Sequence, residues 1–116
     1  MALSDDALEA PVLQVEQFCK ARTPDDARDQ MRLEHEARGS RITIVEHRAP
    51  WNPQLGQEWS RQPIAELRHD AVAGTWELYW PRHTGRWHHY EDLPSAPSVG
   101  PLLAEIEADP DGVFWG

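Results

Sequence analysis

The sequence has little of what the most recognisable enzyme classes require. Its single cysteine, Cys19, excludes an internal disulfide and any site built from paired thiolates. A glycine-rich phosphate loop, a nucleophile elbow and a helical two-histidine metal motif are all missing, so the enzyme families that carry these motifs are excluded. No charged-then-apolar leader and no long apolar run occurs, which predicts a cytoplasmic protein that does not insert in a membrane.

Basic residues are also scarce. The chain of 116 residues has 11 Lys and Arg against 20 Asp and Glu, a net charge of −9, which argues against nonspecific affinity for a phosphate backbone. The deficit is uneven: residues 1–37 carry 4 basic and 9 acidic side chains, residues 38–90 carry 7 and 5, and residues 91–116 carry 0 and 6. Acidic ends therefore flank a mildly basic middle. The length predicts one domain over residues 1–116.

Both ends of the chain carry helical patterns. Apolar residues at helical spacing from Leu8 to Cys19 predict a helix over residues 6–21, in which Pro11 introduces a kink or delays the start. The segment Thr23-Pro-Asp-Asp is a capping signal that predicts a short helical turn over residues 24–29. Residues 99–106 predict a second helix that stops at Asp109-Pro110, and the apolar tail 112–116 is expected to dock on the domain.

The middle of the chain has the alternation typical of strands. Residues 31–37 and 41–47 predict a hairpin around Gly39, and residues 64–70, 75–80 and 86–90 predict a tryptophan-rich meander. Residues 49–63 read as a long loop that packs against the sheet. The predicted fold is therefore α+β: an antiparallel five-stranded sheet, made of the hairpin and the meander, with N-terminal and C-terminal helices packed on one face.

Turn lengths predict which side chains share a face. Pairing Asp70 with Thr75 and Pro81 with Arg86 places the three tryptophans of the meander, Trp76, Trp80 and Trp87, on the core face. The second face then carries two cross-strand rows, Arg68–Glu77–Tyr90 and Glu66–Tyr79–His88. A one-residue slip in either hairpin would invert these assignments.

The second face is the candidate binding site. In the functional interpretation, Arg68 holds an anion, Tyr79 and Tyr90 stack on a planar group, and His88 exchanges a proton. In the structural interpretation, the same residues form an ordinary solvated sheet face. One arginine of the meander, Arg86, and two tryptophans of the long loop, Trp51 and Trp59, are added to the set; the tryptophans either form a ligand lid or cover a sheet edge. The full candidate set is Glu66, Arg68, Glu77, Tyr79, Arg86, His88, Tyr90, Trp51 and Trp59.

Two chemistries remain as weaker hypotheses. His35, His69 and His89 are all predicted on the core face and form a candidate metal trio with Glu46 as a fourth ligand, although histidines among tryptophans are usually neutral core residues. Glu66 near His88 is a candidate general acid/base pair of a small hydrolase-like or metal-binding enzyme. We predict no cofactor, and Cys19 is expected to be a buried, inert thiol.

Several motifs occur in an order that resembles a known family. They are Arg32-Leu-Glu, Ala49-Pro-Trp, Pro63-Ile-Ala-Glu-Leu-Arg, Thr75-Trp-Glu-Leu-Tyr-Trp and the ending Asp109-Pro-Asp-Gly-Val-Phe-Trp-Gly. Together they resemble the bacterial proteins known as domain of unknown function 3024, over nearly the whole chain after about residue 12. The resemblance implies a small stand-alone bacterial protein and brings no activity, cofactor or catalytic residue with it.

These observations favour a noncatalytic macromolecular binding module that uses the second sheet face or the 49–63 loop. A protein partner or self-association fits the acidic balance and the apolar anchors. Single-stranded nucleic acid is the alternative, because an Arg-and-aromatic sheet stacks bases without regard to sequence.

Overall fold

The computed structural model describes residues 5–50, 52, 54, 56 and 58–115. The elements run in the order α1 (Asp5–Ala21), a 3₁₀ turn (Asp25–Ala27), β1 (Met31–Arg38), β2 (Arg41–Arg48), β3 (Ser60–Asp70), β4 (Thr75–Pro81), β5 (Trp87–His89) and α2 (Val99–Ala108). The strands form one antiparallel sheet in the order β1-β2-β3-β4-β5. The predicted α+β class is confirmed. Neither described helix is long and apolar enough to cross a membrane.

Both helices pack on the same face of the sheet, which we call the core face. Val15 and Cys19 of α1 and Leu102 and Ile106 of α2 are buried in one hydrophobic cluster. The sheet contributes alternate residues of each strand to that cluster, as the two-residue period of a strand requires: Leu33, Ile42, Ile44, Ala65, Leu67, Trp76 and Leu78. The opposite side of the sheet, which no described helix covers, is called the open face.

The N-terminal helix begins before Pro11, at Asp5, so the delayed start considered for it is wrong. Thr23 also differs from its predicted role. The 3₁₀ turn has Pro24 at its N-cap position with no side-chain cap. Instead, the buried Thr23 hydroxyl donates to the Cys19 carbonyl at 3.0 Å and accepts from the Leu33 amide at 3.0 Å. Thr23 therefore joins the end of α1 to β1.

β3 begins at Ser60, so residues 60–63 belong to the sheet and not to the predicted loop. Its pairing with β2 is interrupted by a bulge: Ile44 pairs with Ala65 and Val45 with Pro63, which leaves Ile64 as the extra residue. A proline lacks an amide proton for the ladder and is tolerated in a strand at such a bulge. Because of the extra residue, Ile64 and Ala65 are both buried.

The predicted register is correct in one hairpin of the meander and wrong in the other. Asp70 pairs with Thr75, as predicted, and the Asp70 carboxylate accepts the amides of Val72 and Ala73 in the turn. In the β4–β5 hairpin, however, Pro81 pairs with Trp87 rather than with Arg86. The predicted register of this hairpin is wrong by one residue.

The error arises from the length of the β4–β5 turn. The Arg82 amide donates to the Arg86 carbonyl, so the loop proper is residues 83–85 with Gly85 at a φ of 84°. Three-residue hairpin loops commonly end in a left-handed residue, and glycine adopts that conformation without a Cβ penalty. The extra pairing of Arg82 with Arg86 inverts the faces of β5. His89 is therefore beside Tyr79 on the open face, His88 is beside Trp80 on the other face, and the next residue, Tyr90, is buried.

The C-terminal tail docks on the domain, as predicted. Asp109, at a left-handed φ of 42°, ends α2 and accepts the backbone amides of Val113, Phe114 and Trp115 at 2.9, 3.1 and 2.9 Å. The Phe114 ring is buried in the core cluster, and the Trp115 indole donates to the Ile106 carbonyl at 2.8 Å. One carboxylate thus fixes the path of the tail through Trp115.

Candidate functional site

The open face includes three neighbouring rows of side chains, beside a fourth that contains Arg32, His47 and Arg61. The apolar row contains Val45, Pro63, Pro81 and Trp87; the central row contains Glu36, Thr43, Glu66, Tyr79 and His89; and the arginine row contains Arg38, Arg41, Arg68 and Glu77. Paired residues point to the same side of a sheet, which forms the central and arginine rows. In the apolar row Val45 pairs with Pro63 and Pro81 with Trp87, and the two pairs meet where Pro63 and Pro81 line one cavity. Four predicted site residues therefore lie together here: Glu66, Arg68, Glu77 and Tyr79.

Glu66 is the buried centre of this face, with only 6% of the residue exposed. Its carboxylate accepts hydrogen bonds from Thr43 Oγ1 at 3.1 Å and from Arg68 Nε at 2.6 Å, and Arg41 Nη1 lies 3.7 Å from one of its oxygens. Burying a carboxylate is unfavourable unless it is paired and hydrogen-bonded, and here β2 and β3 supply both conditions. The Glu66 carboxylate is therefore already committed to partners within the chain.

The aromatic part of the central row is also engaged internally. The Arg68 guanidinium lies over the Tyr79 ring, 3.8 Å from its centroid, and the Tyr79 and His89 rings are 5.2 Å apart. His89 Nε2–H donates to the Pro94 carbonyl at 2.7 Å and lies 3.4 Å from a Glu77 carboxylate oxygen. His89 replaces His88 in the central row of this face, in agreement with the corrected register.

The apolar row is the part of the face that sequence reasoning missed. Trp87 was placed on the core face, yet it is half-buried on the open face beside Pro81 and Pro63. The three residues share the lining of a cavity of about 410 Å³ with neighbours from β3 and the β4–β5 loop: Gln62, Arg82, His83 and Gly85. The signal that was available is Gly85, because a glycine at the third loop position indicates the three-residue turn.

A second tryptophan lies over the β1–β2 side of the open face. Arg32 stacks on the Trp59 ring at 4.2 Å from its centroid, and Glu34 and His47 line the same shallow cavity of about 150 Å³. Trp59 therefore packs on the open face against Arg32 of β1. The other candidate of the long loop, Trp51, lies outside the described residues.

The arginines of the open face are largely paired with carboxylates. Arg61 Nε donates to Glu36 at 3.0 Å, which holds the pKa of that carboxyl below its usual value, and Arg68 and Arg41 both lie against Glu66. Among the predicted site arginines, Arg86 is exposed in the β4–β5 loop rather than within a strand. The face thus has little uncompensated positive charge for a nucleic-acid backbone, which clustered basic residues normally contact.

Two predicted site residues are absent from the open face. His88 packs on Trp80, with 5.4 Å between ring centroids, on the opposite side of the sheet from Glu66, so these two side chains do not form the proposed acid/base pair. Tyr90 is buried, and its hydroxyl donates to Glu105 of α2 at 2.7 Å. Burial raises the pKa of the Tyr90 phenol, and the Glu105 carboxylate raises it further. Both corrections follow from the one-residue change of register.

The candidate metal trio is also separated by the fold. His35 and His69 lie on the core face, whereas His89 lies on the open face. His69 packs edge-on against Trp76, with 5.0 Å between ring centroids. Over the part of the chain that the structure describes, no group of three or more His, Cys, Asp or Glu is arranged to hold a metal ion. The trio is therefore not a site.

Comparison with known proteins identifies a family and nothing closer. The family model described as Domain of unknown function (DUF3024) matches residues 6–116, which is essentially the whole chain. Neither the curated proteins nor the solved structures gave a significant match.

Proposed function

The chain belongs to the DUF3024 family, and we propose that it is a noncatalytic binding module that holds a protein partner on the open face. The observation that carries this proposal is the apolar row, which ends in the half-buried Trp87 on a side of the sheet that no described helix covers. Aromatic residues and arginine are enriched in protein interfaces, and buried aromatic anchors dominate their binding energy.

The distribution of charge supports a protein rather than a nucleic acid. The net charge of −9 belongs mainly to the helices and connections, while the open face carries arginines matched by carboxylates such as Glu36 and Glu66. A face of paired charges around an apolar row resembles the polar surroundings of a protein interface. Phosphates approaching the same face would meet arginines already bound to carboxylates.

The internal commitment of Glu66 supports binding rather than catalysis. A general acid or base needs a proton-accepting atom within reach of a substrate. Both carboxylate oxygens of Glu66 accept hydrogen bonds from the chain itself, and His89, which lies in the same cross-strand row, donates through Nε2 to a backbone carbonyl. The partner is expected among cytoplasmic proteins, since the one cysteine is a buried free thiol.

Site-specific photo-crosslinking in the native host cell tests the proposal. A photoreactive phenylalanine analogue is placed at Trp87 or Tyr79 on the open face, and at Leu13 on α1, where 51% of the leucine is exposed, as the matched control. We expect discrete protein adducts from both open-face positions and none from Leu13. Adducts of nucleic acid at Tyr79, or equal protein adducts from Leu13, would reject a protein partner on the open face.

Self-association gives its own result in the same experiment. If the partner is a second copy, the adduct has twice the mass of the chain, and the purified protein shows a concentration-dependent mass by light scattering. The Trp87→Ser variant is then expected to remain monomeric at concentrations where the unmodified protein associates, because the substitution removes the aromatic anchor.

A further inference from the structure

β1 forms one edge of the sheet, and no other described strand lies beside it on the outer side. Its second half is largely exposed. Ala37 is exposed there although it shares the core face with the buried Leu33, so neither described helix covers this side chain. An exposed edge offers its backbone N–H and C=O groups to a further strand.

The backbone groups that point outward from β1 belong to its odd-numbered residues. The Leu33 amide donates to Thr23 Oγ1 at 3.0 Å, so it points away from β2. Because alternate residues of an antiparallel strand direct both backbone groups to the same edge, His35 and Ala37 point outward as well. Thr23 already holds the Leu33 amide, which leaves the stretch around His35 and Ala37 for a new strand.

The open-face side chains of β1 carry charges of both signs. They are two arginines with two glutamates between them: Arg32, Glu34, Glu36 and Arg38. When two identical strands pair antiparallel and keep both open faces on one side of the sheet, they meet about a twofold axis at one residue. The charges and the outward backbone groups decide which residue of β1 lies on that axis.

Most positions of this axis are unfavourable. An axis at Leu33 or Glu34 requires the Leu33 amide, which is already bonded within the chain. An axis at His35 places Glu34 opposite Glu36 of the second copy, so like charges meet. An axis at Ala37 carries the ladder into the β1–β2 turn and shortens it, because β1 ends one residue later.

An axis at Glu36 satisfies both the backbone and the charges. It joins the outward backbone groups of His35 in one copy to those of Ala37 in the other. It also places Glu34 opposite Arg38 at both ends of the ladder, so two pairs of opposite charge form across the interface.

The charge on the axis itself is already compensated. The two copies of Glu36 face each other there, and like charges that face each other are normally destabilising. Each Glu36 carboxylate, however, accepts hydrogen bonds from Arg61 Nε at 3.0 Å and from Arg61 Nη2 at 2.5 Å in its own chain. The guanidinium therefore offsets most of the repulsion between the two carboxylates.

We propose that a second copy of the chain pairs with β1 in an antiparallel, twofold-symmetric register centred on Glu36, which joins the two sheets into one. The inference goes beyond the proposed function, because this edge lies at the other end of the sheet from β5 and Trp87. Both open faces then lie on the same side of the joined sheet. The interface is small and its ion pairs are exposed, so we expect a dissociation constant on the order of 0.1 mM and single chains in dilute solution.

Sedimentation equilibrium of the purified protein, from about 10 μM to about 1 mM, tests this inference. We expect the mass to rise from 13.3 kDa toward twice that value. Glu34→Arg alone, or Arg38→Glu alone, places like charges opposite each other at both ends of the ladder, so each should weaken self-association at least tenfold. An equimolar mixture of these two variants should restore association, because both ends then join opposite charges again.

Matched controls separate the register from overall charge and from folding. Glu9→Arg and Arg86→Glu change the net charge equally at exposed positions outside β1, and both should associate as the unmodified protein does. Circular dichroism melting of each variant reports whether the fold is retained. In ¹⁵N–¹H NMR, higher protein concentration should slow hydrogen exchange of the His35 and Ala37 amides and leave that of Glu36, which points toward β2, unchanged.

The outcomes also distinguish this interface from the open face. A mass that stays at 13.3 kDa up to about 1 mM would overturn the inference. Undiminished association of Glu34→Arg, or no association in the mixture of charge variants, would overturn it as well. Association that is lost in Trp87→Ser but kept in Glu34→Arg would belong to the open face, and would reject the β1 interface while the proposed function stands.

Discussion

Replacing Glu66 by glutamine tests whether the centre of the open face is structural. The substitution keeps the size and one acceptor oxygen but removes the charge that holds Arg68 Nε at 2.6 Å and Arg41 at 3.7 Å. A hydrogen bond to a charged group contributes about 1.5–3 kcal/mol, and a pair with an exposed arginine about 0.2–1 kcal/mol. Arg68 is one quarter exposed and regains some hydration, so we expect a net loss of about 2–3 kcal/mol in the free energy of unfolding.

Urea denaturation and thermal melting measure this loss. For a chain of this length, about 2–3 kcal/mol corresponds to a decrease in Tm of roughly 8–12 °C. The control is Glu77→Gln on the same face, whose carboxylate lies 3.4 Å from Nε2 of His89, a side chain about one third exposed, and which we expect to change stability by less than about 0.5 kcal/mol.

A double-mutant cycle completes the test. Combining Glu66→Gln with Arg68→Gln should give a coupling energy of about 1.5 kcal/mol or more, because each single change already removes the attraction between the carboxylate and the guanidinium that strengthens the shared hydrogen bond. A loss below about 1 kcal/mol for Glu66→Gln, or a coupling energy near zero, would refute the reasoning, since it would mean that the buried carboxylate is not stabilised by these partners.

Three further predictions concern the core face. Asp109→Ala should lower the free energy of unfolding by about 2–3 kcal/mol and shift Trp115 fluorescence to the red, because three tail amides lose a charged acceptor and regain only water; the exposed Asp111→Ala serves as the control. Burial raises the pKa of the Cys19 thiol to about 12, so a disulfide reagent at neutral pH should label it only as urea unfolds the chain. Because the raised pKa of Tyr90 favours its neutral form in the folded state, stability should be unaffected by this group below about pH 10 and fall as the pH rises above it; Tyr90→Phe should remove that fall in alkaline denaturation series.

Much of the fold follows from local patterns in the sequence. Alternation over residues 31–37 and β-branched residues over 41–47 predicted the first hairpin, and the four-residue turn after Asp70 predicted the correct pairing of Glu66 with Tyr79. These features are local because a hydrophobic period and a turn fix the faces of neighbouring strands without reference to the rest of the chain. Glu66, Arg68, Glu77 and Tyr79 were placed together for that reason.

The remaining differences have two physical causes. The β4–β5 turn contains one more hydrogen-bonded pair than predicted, between Arg82 and Arg86. Because successive side chains of a strand alternate between faces, this shift of one residue exchanges the faces of Trp87, His88 and His89. The bulge opposite Ile44 allows Pro63 inside β3, and a bulge depends on the partner strand rather than on local sequence. The apolar row follows from these two features, which is why sequence reasoning did not find it.

The most direct test of the central claim is the apparent mass of the protein in a native cell extract, measured by size-exclusion chromatography for two variants that each lose an apolar side chain to serine. The account predicts that Trp87→Ser, on the open face, shifts the protein from a larger complex to the mass of the free chain, whereas Leu13→Ser on α1 leaves the complex intact. If both variants remain in the larger complex, or if Leu13→Ser alone releases the chain, the partner does not bind through the open face.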